Sequence, residues 1–380
     1  MPEGIYLDHA ATSPPLPAAR RAFDAILDTA WANPSSAHRA GAVAAAALED
    51  ARRRLAAVAG CLPEELFFTS GGTEAVNLAI QGGARYRRRP RVLVSAIEHS
   101  AALEAAHLLE RDGIAVERIP VDRDGLVDEE AFVGLLDEDV GLVSLIHGNN
   151  EVGTLQRLPR LAALVRRHAS SALVHTDAVQ TFARVALPLG KVDLASVTAH
   201  KLGGHRGIGA LFVRRGVRIT PLMGGGDQEG GLRPGTEDPA SAAGFAVAAE
   251  TAWAGREATA ARLEDLRARF TAAVLAGIPG ASINGPADPA RRLPGIISLR
   301  VPGIRAQNLV HFLEAVGIWI AAGSACHSSS DRPSHVLVAM GLAERAGSVR
   351  ISLGPETTSA EVDRAATECV RQANRLLEAR

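Results

Sequence analysis

The sequence predicts an α/β protein: a mostly parallel, seven-stranded sheet covered by helices, joined to a smaller α+β domain. Seven short apolar, β-prone runs recur at 66–69, 92–96, 115–121, 141–147, 173–178, 194–199 and 209–214. Amphipathic stretches at about 99–111, 128–137 and 157–169 lie between the earlier ones. Continuously apolar strands alternating with helices are the pattern of a parallel sheet buried on both faces. The pattern then changes. After the loop Gly224–Gly231, residues 237–277 read as mostly helix, and shorter strands and helices follow. A chain of 380 residues also exceeds what one simple core accommodates.

In order, Ile5–Asp8 is a short strand-like run and 9–17 a proline-rich loop. Helical patterns at about 17–31 and 38–59 are separated by Asn33-Pro34-Ser35-Ser36. The run 66–69 passes through Ser70-Gly71-Gly72-Thr73-Glu74 into a helix ending near 85. The runs at 194–199 and 209–214 are joined by a loop too short for a helical crossover, which predicts an antiparallel pair at the sheet edge. Beyond the long helix come a strand at 296–301, a helix at 305–316, a strand at 317–321 and a loop at 322–333. A short helix, a strand at 348–353 and a C-terminal helix from about 358 complete the chain. The long helix is the expected hinge between domains.

Composition excludes several classes. Hydrophobic residues at 47% and charged residues at 22% describe a soluble globular protein. A net charge of −1 gives no field favouring nucleic acid or an anionic membrane. The basic run Arg85–Arg91 reads as a solvated turn. No signal-peptide pattern opens the chain, and no apolar run is long enough for a membrane span. Cys61, Cys326 and Cys369 are far apart and form no CxxC pair, so a disulfide framework and a zinc ribbon are not expected. A reducing, cytoplasmic setting fits.

Lysine is almost absent: arginine supplies every cation of this kind except Lys191 and Lys201. Lys201 lies between His200 and a glycine pair. Arginine cannot serve where a neutral nitrogen is required, whereas an amine can form a Schiff base with a carbonyl cofactor. The same residue also suits a loop at the surface. In open α/β sheets ligands bind beyond the carboxyl ends of the strands, where other candidates fall. Thr69–Glu74 runs a strand into a helix N-terminus, which attracts an anion such as phosphate or makes an ordinary capped turn. Asp177 suits a protonated ring nitrogen or an N-cap. His99, after Glu98, suits stacking on a flat cofactor, proton transfer or helix capping. Thr198 and His200 bring further donors. An amine, an acid, an anion cradle and a stacking ring together suit pyridoxal phosphate. Gly204–Gly209 precedes a strand, so it is not a dinucleotide fingerprint. No acidic or cysteine partner is spaced to complete a metal site with His200 and His205.

The second domain adds two features. Gly323-Ser324-Ala325-Cys326 opens a small, polar loop with a cysteine beside His327. Four serines and no large apolar anchor before Pro333 predict poor order there. Cys369 reads as buried on an amphipathic helix, and Cys61 as structural. Arg350 stands inside a short apolar strand, which requires a partner: a substrate carboxylate or a structural salt bridge.

The sequence closely resembles the cysteine desulfurases of the class V aminotransferase group, pyridoxal-phosphate enzymes of fold type I. The resemblance rests on Leu7–Pro14, Asn33–Ser36 with His38, Thr69–Glu74, Glu98-His99, Asn149–Gly153, Asp177–Gln180, Ala199–Lys201, Arg233–Thr236, Gly323–Cys326 and Arg350–Gly354. It implies a large cofactor-binding domain at 14–254 and a small domain formed by 1–13 and 255–380. It assigns the Schiff base and proton transfer at the substrate Cα to Lys201, the ring nitrogen to Asp177 and the ring hydroxyl oxygen to Gln180. His99 would stack on the ring and act as acid and base near the sulfur. Gly72, Thr73, Thr198 and His200 would hold the phosphate, and Thr236 would reach the phosphate of a neighbouring subunit in a homodimer. Asn150 and Arg350 would grip the carboxylate of L-cysteine. Cys326 would take the sulfur as a persulfide, releasing L-alanine, and pass it to a protein acceptor. The loop around Cys326 resembles the longer form of the housekeeping branch, whose members serve iron–sulfur assembly, tRNA thiolation or DNA sulfur modification. The chain departs from the family pattern at His9, His327 and His335. A related aminotransferase, a selenocysteine lyase and a non-catalytic sulfur carrier are the alternatives.

Overall fold

The structure, a computed structural model, describes residues 4–323, 334–342 and 347–379. Its centre is a seven-stranded sheet of β2 (Leu66–Thr69), β3 (Arg91–Ser95), β4 (Ala115–Ile119), β5 (Val140–Ser144), β6 (Leu173–Asp177), β7 (Leu194–Thr198) and β8 (Gly209–Val213). Their order across the sheet is β2-β8-β7-β6-β5-β3-β4. Only β8 runs against its neighbours. The predicted antiparallel pairing of β7 with β8 is therefore present, but not at the edge. β2 crosses over to pair with the far side of β8 and takes the edge itself.

Successive residues of the central strands enter different cores. Val92, Val94, Leu142, Leu173 and Leu194 pack on one face. Leu93, Val143, Val174 and Ala195 pack on the other. Burial of both faces is why these strands read as unbroken apolar runs instead of alternating ones. The predicted helices at 17–31 and 38–59 are α1 (Pro17–Thr29) and α2 (Arg39–Ala59). The helix after β2 starts as α3 (Gly72–Asn77), widens into a π-turn (Leu78–Gly82) and continues as α4 (Gly83–Arg87). Nothing in the residue pattern announces the π-turn. α5 (Ser100–Glu110), α6 (Glu129–Leu135) and α7 (Leu158–His168) complete the crossovers.

The long helix α8 (Pro239–Gly277) has 39 residues and spans about 58 Å. Its first half buries Phe245 and Ala249 against α1 and α2. Its second half buries Leu263, Phe270 and Val274 in a separate core with Ile5, Leu7, Leu299, Ile351 and Val362. That second core lies against β9 (Ser282–Asn284), β10 (Ile296–Arg300) and β12 (Ser348–Ser352), ordered β12-β10-β9 and antiparallel. β9 is a strand that the sequence reading missed: three residues between turns are too short to show alternation. β1 (Ile5–Tyr6) pairs in parallel with β11 (Ile318–Trp319), so the chain's start joins the late segment. α9 (Ala306–Glu314), α10 (His335–Ala339) and α11 (Ser359–Glu378) complete this region, with Cys369 buried on α11. Of the basic run, Arg91 is half-buried and binds Glu117 and Asp137, so it is more than a solvated turn.

The exposed edge of β2 is closed by an ion pair. Arg52 donates to the Leu66 carbonyl at 2.7 Å and to both oxygens of Glu229 at 2.7 and 2.8 Å. Glu229 in turn accepts from the Phe68 backbone N–H at 2.7 Å. The pair thus meets the ladder groups that an eighth strand would take. Glu229 adopts φ 50°, a conformation unfavourable for a non-glycine residue, in the loop that leads to Arg233 and Thr236. Removing one member of such a buried pair leaves the other uncompensated. Arg52→Ala should lower stability by about 3–5 kcal/mol, read as a lower denaturant midpoint.

Candidate active site

The parallel strands deliver their carboxyl ends to one edge of the sheet. Thr69 ends β2, Asp177 ends β6 and Thr198 ends β7, with Glu98-His99 just beyond β3 and Asn149-Asn150 beyond β5. Two close approaches shape the turn between β2 and α3. A Cβ on Gly209 would stand 2.6 Å from the Gly71 carbonyl carbon, so only glycine lets β8 approach this turn. A Cβ on Gly72 would stand 2.8 Å from Val179 Cγ2, close to Thr198. The helix start at Gly72 therefore packs closely against Val179 and the Thr198 side, and a side chain at 72 would not fit.

Lys201 follows β7 in a turn closed by hydrogen bonds from Leu202 and Gly204 to the Ala199 carbonyl. Its Nζ donates to the carbonyls of Ala10 and Ala11 at 2.7 and 2.6 Å. Burial pushes the amine down to about 8, with Arg350 and Arg184 adding to the shift and Asp8 and Asp177 opposing it. Gln180 Nε2 donates to the same Ala10 carbonyl at 2.8 Å, while its buried Oε1 has no partner. Asp177 is buried and accepts from the Val179 N–H at 2.9 Å. Burial pushes its carboxyl up to about 6. His200 meets Thr12 Oγ1 at 3.1 Å and is pushed down to about 4 by burial, then by Lys201 and Arg206.

The other predicted residues are placed as follows. His99 N-caps α5, its Nδ1 accepting from the Ala101 N–H at 3.1 Å. The Thr198 hydroxyl donates to the Ile208 carbonyl at 3.1 Å. Arg350 is 2% exposed on β12, donating to Asp8 Oδ1 at 2.6 Å and to the Asn150 carbonyl at 3.1 Å. Its Nε has no partner. The salt-bridge alternative raised for Arg350 is thus present, and it leaves one donor over. Thr236 is exposed and lines a groove with Thr69, Ser70, Ile208 and Arg233. Cys326 and His327 lie outside the described residues, as does the rest of 324–333.

Sequence reasoning missed Asp8 and Arg184. Asp8 had been read only as part of the opening motif, yet it is the carboxylate that holds Arg350. Arg184 donates to the Lys201 carbonyl, and burial pulls its guanidinium down to about 10. Ala183 before it adopts φ 56°. No sequence signal marks a left-handed alanine.

Residues 5–365 match the family described as Aminotransferase class-V. The cysteine desulfurase IscS of Dictyoglomus turgidum is 37% identical over 96% of this chain and 93% of its own. An IscS-like cysteine desulfurase of Mycobacterium tuberculosis is 41% identical over 95% of this chain and 94% of its own. The chain belongs to the cysteine desulfurases of the class-V aminotransferase family. A solved NifS-like protein superposes with a TM-score of 0.90 at 35% identity, covering 97% of this chain and 98% of that one. The family is pyridoxal-phosphate dependent, and the residues present fit the cofactor. A desolvated amine, a buried carboxyl, an unpartnered amide oxygen on Gln180 and a side-chain-free helix start are what its aldehyde, ring and phosphate require.

Titration should reveal the buried acid. Asp177 in the folded chain keeps its proton above the unfolded value of 3.8, up to about 6. The folded state therefore binds more protons in that window, and stability falls as pH rises through it. Apoprotein melting temperatures between pH 4 and 6 should fall less steeply in Asp177→Asn than in the parent chain.

Proposed function

We propose that this site removes the sulfur of L-cysteine, releasing L-alanine and leaving a persulfide on Cys326. The observation that carries the reading is convergence on one atom. Lys201 and Gln180 both donate to the Ala10 carbonyl, which brings a Schiff-base amine and a ring-hydroxyl partner together. Bound there, pyridoxal phosphate supplies an electron sink for bonds at the substrate Cα.

The chain's own residues do the rest. Asp177 would hold the ring nitrogen, and Gly72, Thr73, Thr198 and His200 would hold the phosphate. Lys201, its amine lowered towards neutrality, moves a proton at the substrate Cα. Arg350, fixed by Asp8, orients the substrate carboxylate together with Asn150. His99 would lie against the ring and handle the proton at the sulfur. The Cys326 thiolate attacks that sulfur. Its new S–S bond replaces the substrate's C–S bond, so L-cysteine and a thiol become L-alanine and a persulfide.

The enzyme works as a cytoplasmic homodimer in which Thr236 reaches the partner's phosphate site. Its exposure at the surface supports that reading. Among the described residues no helix is long and apolar enough to cross a membrane. The near-neutral net charge of −1 favours a protein acceptor over direct nucleic-acid contact. We place the domains at 14–254 and at 1–13 with 255–380, since Ile5 and Leu7 share a core with residues beyond 262.

Lys201→Ala should abolish both the cofactor's visible absorbance and alanine formation from L-cysteine. Cys326→Ser should keep the absorbance and lose persulfide and alanine release. Full desulfurase turnover in Cys326→Ser would instead point to a lyase or aminotransferase in which that thiol has no part. Mixing inactive Lys201→Ala and Thr236→Ala homodimers under subunit exchange should raise activity above either parent, and no gain would place Thr236 in its own subunit's site.

A further inference from the structure

A row of polar side chains crosses the sheet directly behind Asp177. Ser144 ends β5, and its Oγ lies 3.2 Å from Glu98 Oε1 and 2.9 Å from His175 Nδ1. The other ring nitrogen of His175 lies 2.9 Å from Ser196 Oγ on β7. All four side chains belong to residues with 0% exposure. His175 stands two residues before Asp177 on β6, hence on the same face of the strand. Ser196 is the register partner of Asp177 across the β6–β7 ladder.

Proton counting allows two orders. Ser144 has one hydroxyl proton for its two neighbours. If Glu98 is ionised, Ser144 donates to it, His175 must carry its proton on Nδ1, and Ser196 must donate to Nε2. If Glu98 carries a proton, it donates to Ser144, Ser144 donates to Nδ1, and Nε2–H donates to Ser196. The first order leaves an anionic oxygen, Glu98 Oε2, buried with no partner in good hydrogen-bond geometry among the described residues, the Ile146 N–H near the carboxyl included. The second turns that atom into a neutral carbonyl oxygen, which is far cheaper to bury unpaired.

We propose that Glu98 is a neutral carboxyl that starts a one-way chain, Glu98 to Ser144 to His175 to Ser196, and that this chain is a positioning device that keeps Asp177 the sole carboxylate charge behind the cofactor ring. The proposal rests on the role given to Asp177 above. The electrostatics agree with the geometry. Burial, and then the Asp177 charge, raise the Glu98 carboxyl well above its ordinary value, against weaker help from Ser144, Ile146 and Arg118. Burial alone lowers His175 to about 3, so its ring is neutral and has a defined tautomer. Two ionised carboxylates in one dry layer repel, and only Asp177 has Lys201 to offset its charge.

The test uses purified holoenzyme at pH 8. An infrared difference spectrum, parent minus Glu98→Gln, should show loss of a protonated-carboxyl band. Loss of carboxylate bands would overturn the proposal. Histidine-labelled 15N NMR, assigned with His175→Gln, should find the Nε2–H tautomer for His175. It should mix or reverse in Ser144→Ala, a readout that mere packing would not move. An Nδ1–H tautomer in the parent would overturn the chain's direction. The pH midpoint of the cofactor's visible band should stay within about 0.3 units in Glu98→Gln, since one neutral group replaces another, whereas a shift of a unit or more would mean that Glu98 carries charge. The first two readouts do not depend on the role of Asp177. If they hold while Asp177→Asn leaves the band's midpoint unmoved, the reading of Asp177 fails and the chain stands.

Discussion

Loss of water at the carboxyl end of the sheet shifts the proton affinities of Lys201, Asp177 and His200. The amine falls to about 8, Asp177 rises to about 6, and His200 falls to about 4, each with burial as the largest cause. Desolvation always favours the neutral form, so it moves bases and acids towards one another. Lys201 and Asp177 thereby move towards the proton affinities that acid–base chemistry at neutral pH requires, while His200 moves away from them and stays neutral. Parallel topology makes this possible. It brings the ends of β2, β6 and β7 to one edge while both faces stay covered.

The same edge depends on segments far apart in sequence. Leu7 and Asp8 bridge to β12, and Asp8 holds Arg350. Ala10 and Ala11 then pass over Lys201 with their carbonyls turned to its amine. His9 sits between these contacts, buried, edge-on to Tyr6 and pushed down to about 4. A Cβ on Gly354 would strike its ring at 2.1 Å, so that glycine and His9 need each other's shape. The departure at His9 is therefore part of how the N-terminal segment is seated.

What was legible in the sequence follows from physical range. The central strands of the sheet were visible because burial on both faces writes apolar runs, whereas β4, at the edge, carries Glu117 and Arg118 and showed only its β-prone residues. Asp177 was visible because a strand end is a local feature. Lys201 stood out by composition. The position of β2 outside β8 was not visible, because pairing across the sheet leaves no mark on either run. Asp8 and Arg184 were hidden for the same reason. Their partners Arg350 and Lys201 are 342 and 17 residues away. β9 was too short to carry a period, and the left-handed backbone at Ala183 and Glu229 occurs at residues that do not advertise it.

Arg184 shows why the cation packed beside Lys201 is an arginine. Its guanidinium lies against the Lys201 carbonyl, and among the described residues no carboxylate pairs with it. A cation there lowers the Lys201 amine, which raises its neutral, nucleophilic fraction. A lysine at 184 would supply the same field, but burial would draw it too towards the neutral, nucleophilic form. Arginine, even when pulled down to about 10, stays charged at neutral pH and does not compete for a carbonyl. The site therefore combines a strong local positive field with a single reactive amine, and that combination requires the two kinds of cation to be kept distinct.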